Sequence, residues 1–266
     1  MVVPLDRGRL LAAVERSPQA AAAHDRAGWV GLFTPDGQIE DPVGSRPHRG
    51  HTQIGRFYDT FIGPRDITFH RDLDIVFGTT VLRDLELEVS MGPAVTMYIP
   101  ALLRYDLREA NGSWKIGRLR AYWELPAMML QFLRTGPRAA SPALQLSRGL
   151  VANQGLRGTV GFLAGLRRPG ARPKRLAEAF LGAVSRHDEP AAVRVLAPGA
   201  PTTLGDDDPL DISELVEQLC GAKWTKVIGA GATVAVSVNS AHGRGIVLVN
   251  AAWPGKAIDR IRYFPA

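Results

Sequence analysis

Cysteine is almost missing from this chain. Cys220 stands alone among 266 residues, which excludes an intramolecular disulfide and any zinc site needing two cysteines of the chain. One free thiol fits a reducing compartment, so a cytoplasmic location is expected. No run reaches about 18 apolar residues, and no membrane-spanning helix is expected. The opening stretch MVVPLDRGRLLAAVERSP meets Asp6 and Arg7 too early to read as a secretion signal. Neither a GxGxxG fingerprint nor a phosphate loop occurs, so no nucleotide cofactor is expected. His48 and His51 stand three apart in a Pro-Gly loop without a nearby third ligand, and no metal site is expected there. No Ser/His/Asp pattern is distinctive enough to propose a hydrolase.

Acidic residues are missing from a long central stretch. Between Glu124 and Glu178 there are none, while nine of the 32 basic residues fall there, leaving 23 basic against 26 acidic elsewhere, a net of −3. The cationic middle of a mildly acidic chain is read as a basic, partly helical connector over residues 126–172. Its arginines lack interleaved aromatics, so nucleic acid is not an expected partner. Arginine combined with Met, Phe and Leu over 127–172 suits peripheral contact with an anionic membrane, which is carried as one reading beside that of a solvated linker.

Hydrophobic residues make up 45% and charged residues 22%, as in an ordinary globular protein, and the length favours two domains. Residues 8–33 read as two helices divided at Ser17-Pro18. A short extended piece follows over 38–41, and a third helix over 52–61 presents Ile54, Phe57, Tyr58 and Phe61 on one side. From Ile67 the pattern turns to strands: 67–69, 72–77, 81–91, 97–107 and 114–123. Asn111-Gly112 predicts a hairpin, and the pattern slips by one residue near Gly117, the mark of a bulge. Leu125, Met128, Met129, Phe132 and Leu133 have the spacing of a short amphipathic helix.

The chain then starts again. The segment HDEPAAVRVLAP at 187–198 lies over HDRAGWVGLFTP at 24–35 without a gap, and IDRIRYF at 258–264 echoes IGRLRAYW at 116–123. Two copies of one fold are expected, an α+β arrangement of tandem cone-shaped domains, each a curved antiparallel sheet wrapped around N-terminal helices: 1–125, the connector 126–172, and a degenerate copy over 173–266. Under the same offset Asp41 falls on Leu204, so the second copy lacks that acid. Recurrence of His24-Asp25 as His187-Asp188 favours a helix–turn role over chemistry.

The strings HDRAGWVGLF, DGQIEDPVGS and IGRFYDTF resemble the ketosteroid isomerase branch of the nuclear-transport-factor-2-like superfamily, which includes SnoaL-like polyketide cyclases. The resemblance covers roughly residues 8–125; the second half shares only its pattern. It implies a curved sheet wrapped around helices with a deep apolar pocket. In that family an aspartate base shifts a proton beside a carbonyl, while a tyrosine and a protonated aspartate stabilise the oxyanion. Asp41 matches the base, and Tyr58 looks like the family's supporting tyrosine. The two oxyanion donors do not carry over, since Ser17 and Leu103 stand in their places.

The resemblance thus implies a cofactor-free isomerase-like enzyme acting on a steroid or similar polycyclic ketone, with Asp41 and Tyr58 as catalytic candidates. The expected ligand-binding residues are Trp29, Phe33, Phe57, Tyr98, Leu103, Tyr122 and Trp123. The alternative is a non-catalytic binder of a sterol or other lipid. For Asp41 the residues also allow a plain Asp-Pro turn opener, and for Tyr58, Trp123 and Tyr122 simple core packing. Related folds pair through their sheet faces, so a homodimer, or a pseudo-dimer within one chain, is expected by analogy.

Overall fold

A computed structural model of the protein describes residues 6–92, 95–136, 144, 152, 171–251 and 256–266. The chain divides into two compact units, Met1–Arg167 and Arg168–Ala266. Most of the basic connector, including Arg138, Arg148, Arg157, Arg167 and Arg168, lies outside the described residues.

The first unit opens with α1 (Arg7–Ala22) and α2 (Arg26–Gly31). Pro18 lies inside α1, so the break between the helices comes not at Ser17-Pro18 but at Ala23–Asp25. There His24 takes φ 51° and Asp25 caps α2 by accepting from the Gly28 amide at 2.8 Å. A left-handed residue followed by a carboxylate cap ends one helix and begins the next, which a mid-helix proline need not do. Phe33 belongs not to a helix but to β1 (Phe33–Glu40).

Next come β2 (His48–Arg49), α3 (Gly50–Phe57) and a π-helical turn, Tyr58–Ile62. The long strands follow: β3 (Asp66–Phe77), β4 (Thr80–Ser90), β5 (Thr96–Ala110) and β6 (Ser113–Tyr122). They form one six-stranded sheet in the order β2-β1-β6-β5-β4-β3, with β1 parallel to β6 and all other pairs antiparallel. The two pieces expected over 67–77 are a single strand whose register shifts between Arg71 and Leu73. Asn111 and Gly112 both have positive φ, the geometry of a tight primed hairpin turn. The expected bulge is present too: Asp106 pairs with Arg118 and Leu107 with Ile116, leaving Gly117 as the extra residue.

Alternation along β5 turns Leu103, Tyr105 and Leu107 inward; on β6, Ile116, Leu119 and Ala121 face the same core. Leu10, Ala13, Val14, Ser17 and Ala21 are the buried stripe of α1. A further helix, α4 (Leu125–Arg134), packs Leu125 and Phe132 against this core. Together these elements make a curved sheet closed over helices.

The second unit repeats the plan. It contains α5 (Ala171–Ser185), α6 (Glu189–Arg194), β7 (Thr202–Leu204), β8 (Asp208–Pro209), α7 (Ile212–Gln218), β9 (Lys223–Ala230), β10 (Thr233–Ser240), β11 (Gly243–Ala251) and β12 (Ile258–Pro265). Its sheet order is β8-β7-β12-β11-β10-β9, again with one parallel pair, β7 with β12. The two echoes in the sequence coincide with equivalent geometry. His187 takes φ 59° and Asp188 caps α6, as His24 and Asp25 do for α2. Ile258 donates to the Val195 carbonyl just as Ile116 donates to that of Leu32. The protein is therefore α+β, two cone-type sheets in tandem.

Candidate functional site

Asp41 is aimed by strand alternation. Ile39 on β1 is fully buried in the core, so Asp41, two residues on, leaves the strand on the inner side. Glu40 turns outward and its carboxylate accepts from the Gly44 amide at 2.8 Å, closing the turn that follows. The Asp41–Pro42 peptide is cis. On the neighbouring strand Leu119 and Ala121 face inward, and the same alternation brings Trp123 to that wall. Its indole Nε1 donates to Asp41 Oδ1 at 2.5 Å.

Asp41 and Trp123 line a cavity of about 130 Å³ in the first unit. Trp29, Phe57, Leu103 and Leu119 belong to the same lining, with Phe61 and Ile62 partly buried at its edge. Burial in this apolar lining pushes the Asp41 carboxyl up to about 6, only partly offset by the Trp123 hydrogen bond. Asp41 is thus both the residue before a turn proline and a desolvated carboxylate in a cavity.

Two hydroxyls from distant parts of the chain share this lining. Ser17, from the buried stripe of α1, accepts from Trp29 Nε1 at 3.2 Å. Tyr105, on β5, is 1% exposed and lines the same cavity. Burial raises its phenol to about 12, moderated by the charge of Arg83 and by a hydrogen-bonding interaction with Ser17. Its hydroxyl therefore stays protonated at neutral pH and is a donor. Arg83 is held in turn by Asp74 at 2.8 Å and Glu15 at 2.9 Å.

The structure gathers only some of the residues singled out in the sequence. Asp41, Trp29, Phe57, Leu103 and Trp123 line the cavity together. Phe33 is buried in the core with its ring 5.1 Å from that of Trp29, outside the lining. Tyr58 packs its ring 5.4 Å from Trp29, also outside the lining, and its buried hydroxyl has no hydrogen-bond partner among the described residues. Tyr98 is 48% exposed, and Tyr122 is buried but lies outside the inner core. Ser17, Tyr105 and Arg65 carry the polar groups that sequence reasoning passed over as site residues. Tyr105 was findable, since it shares a strand face with Leu103 two residues away. Arg65 follows a proline in a turn and has no periodic signal.

His51 donates to the Phe33 carbonyl at 3.0 Å, and His48 sits with its ring 5.2 Å from that of Phe57. Among the described residues no three His, Cys, Asp or Glu side chains come together as a metal site. No described helix is long and apolar enough to cross a membrane.

The equivalent place in the second unit is apolar. Sheet register puts Leu204 where Asp41 stands and Val249 where Tyr105 stands; the shared helix–turn puts Phe180 at Ser17. Phe180 and Val249 are fully buried in a core that also holds Val234, Val236 and Val247. The second cone has exchanged each of these polar wall residues for packing.

Residues 14–114 match the family model of the SnoaL-like domain. The matched stretch lies in the first unit, where the motifs led one to expect the likeness. Solved structures similar to the chain include RV0760c from Mycobacterium tuberculosis in complex with estradiol-17beta-hemisuccinate. That match has 27% identity over 44% of this chain and 95% of the other, with a TM-score of 0.41. The Delta 5-3-ketosteroid isomerase from Mycobacterium sp. matches at 28% identity over 45% of this chain and 96% of its own, TM-score 0.41. SalBIII, an epoxide hydrolase/cyclase-like enzyme with a role in pyran ring formation in salinomycin, matches at 21% identity over 46% and 95%, TM-score 0.41.

Proposed function

We propose that the first unit is a cofactor-independent enzyme that moves a proton at a carbon next to the carbonyl of a hydrophobic polycyclic ketone. The observation that carries this is a single carboxylate, Asp41, set in an apolar cavity with neutral hydroxyl donors. Desolvation makes Asp41 a stronger base than an exposed aspartate while leaving it ionised at neutral pH. A carbanion beside a carbonyl delocalises its charge onto oxygen, and a donor must meet that oxygen. Tyr105 is the better candidate for that donor than Tyr58, because Tyr105 lines the cavity and Tyr58 does not.

In this mechanism Asp41 takes the proton and becomes a neutral acid. The dienolate oxygen accepts a hydrogen bond from Tyr105, whose phenol is steadied by Ser17 and by the Arg83 charge. Asp41 then returns the proton to another carbon of the conjugated system, and the double bond has shifted. No metal or nucleotide is needed for such a step.

A 5-ene-3-ketosteroid assayed by the absorbance of the conjugated product tests the reading. Asp41→Asn is expected to abolish turnover while leaving binding, followed by Trp29 and Trp123 fluorescence, within a few fold. Tyr105→Phe is expected to lower turnover by about 100- to 1000-fold, the usual cost of one oxyanion donor. Unchanged turnover in Asp41→Asn would dispose of the base assignment. Binding with no turnover in the wild type would instead make the first unit a carrier of hydrophobic ligands.

A further inference from the structure

The apolar cavity contains a buried cation that the proposed chemistry does not use. Arg65 lies between the π-helical turn and β3, is 9% exposed, and lines the cavity. Its Nε donates to Met91 Sδ at 3.1 Å and its Nη1 to the Thr60 carbonyl at 2.6 Å. Neither partner is charged, and among the described residues no carboxylate lies within 4.0 Å of its nitrogens. Other buried arginines of this unit are paired: Arg83 with Asp74 and Arg104 with Asp106, each at 2.8 Å.

A guanidinium without a counter-ion in apolar surroundings is costly, and it keeps its charge at neutral pH. Its fork carries five N–H donors; the bonds to Met91 and Thr60 engage Nε and one N–H of Nη1, and among the described residues the other N–H of Nη1 and those of Nη2 have no partner. The flat, paired donors of this fork match a carboxylate.

Arg65 and Asp41 have their neighbours at different levels of the sheet. Tyr122, the neighbour of Trp123, pairs with Leu102, whereas Met91 donates to the Val95 carbonyl. The backbone between Val95, just before β5, and Leu102 is about 23 Å long at roughly 3.3 Å per residue. Ile62, Ile67 and Phe69, apolar and partly buried, lie among the lining residues beside the arginine.

We propose that Arg65 is a ligand-recognition residue and that the natural ligand is an amphipathic molecule: an apolar ring system ending in a carboxylate. The ring system fills the apolar lining, and the carboxylate meets the Arg65 fork. The inference rests on the proposed function only for what happens at the Asp41 end; anion recognition stands apart from catalysis.

The test is the affinity of the full chain for a 3-oxo bile acid and for its methyl ester, read by tryptophan fluorescence at neutral pH. The wild type is expected to bind the acid about 10- to 100-fold more tightly, the usual range for hydrogen bonds to a charged partner. Arg65→Met is expected to erase that difference while holding the ester within about twofold. Arg65→Lys keeps the charge without the fork; it is expected to retain part of the preference and serves if Arg65→Met does not fold. Equal affinity for acid and ester in the wild type, a preference that survives Arg65→Met, or no binding of either ligand overturns the inference. Solvent-deuterium exchange beside the ketone is recorded on both ligands, with and without Asp41→Asn. Asp41-dependent exchange with equal affinities sinks the anion site alone, and selective binding without exchange sinks the base assignment alone.

Discussion

If Asp41 is a desolvated base, replacing it should stabilise the protein in a pH-dependent way. The folded carboxyl titrates at about 6 against an ordinary 3.8. A raised carboxyl pKa means the folded state holds its proton more tightly than the unfolded chain. Stability is therefore lost as pH rises from the unfolded value through the folded one, and the loss is complete above about 6. Two pKa units at 1.36 kcal/mol each amount to about 3 kcal/mol. Part of the Asp41 surface is accessible, so solvent screening makes this an upper figure.

Asp41→Asn removes the charge and keeps an oxygen that can accept the Trp123 hydrogen bond. The mutant's unfolding free energy, relative to wild type, should rise by about 2 to 3 kcal/mol between pH 4 and pH 8. Urea unfolding of both proteins at each pH measures this, taken on the transition that reports the first unit. A relative stability that does not change between the two pH values would show that the carboxylate is not desolvated. Asp41 would then be no stronger a base than an exposed aspartate.

Trp123→Phe removes the hydrogen bond that holds the Asp41 pKa down, so the acid limb of the rate–pH profile should move up by about one unit. A midpoint that stayed put would show that the indole does not tune the base. Tyr58→Phe deletes a buried hydroxyl without a partner; it should stabilise the protein by about 1 kcal/mol and leave turnover unchanged, measured beside Tyr105→Phe. A large loss of turnover would return Tyr58 to the catalytic set. Asp188→Ala breaks the cap to the Ala191 amide at 3.0 Å and should cost the second unit about 1 kcal/mol in thermal unfolding, with ligand binding unaffected.

What depends on local chemistry and short periods is legible along the chain. Asn111-Gly112 can hardly be anything but a tight turn, because two consecutive positive φ angles exclude most other residues. The slip at Gly117 was visible as a break in strand alternation. The repeated His-Asp and Ile-x-Arg-x-Arg strings marked two copies, because identical turns and strand pairings make identical demands. Asp41 was legible through its motif, and its loss in the second copy through the offset to Leu204. Phe33, by contrast, read as helix because its spacing from Trp29 fits a helical face, although the backbone has already turned into β1.

Which side chains meet depends on how the elements pack. Ser17 and Tyr105 are brought together by α1 packing under the sheet, a juxtaposition that no local period encodes. Tyr58 and Tyr98 have the composition of site residues, but the face on which each side chain emerges turns one into the core and the other to solvent. Arg65 carries no signal in the sequence; the fold buries it in the cavity with no carboxylate beside it among the described residues. Burial and pairing are properties of the assembled core, so the charge pattern along the chain could not reveal them.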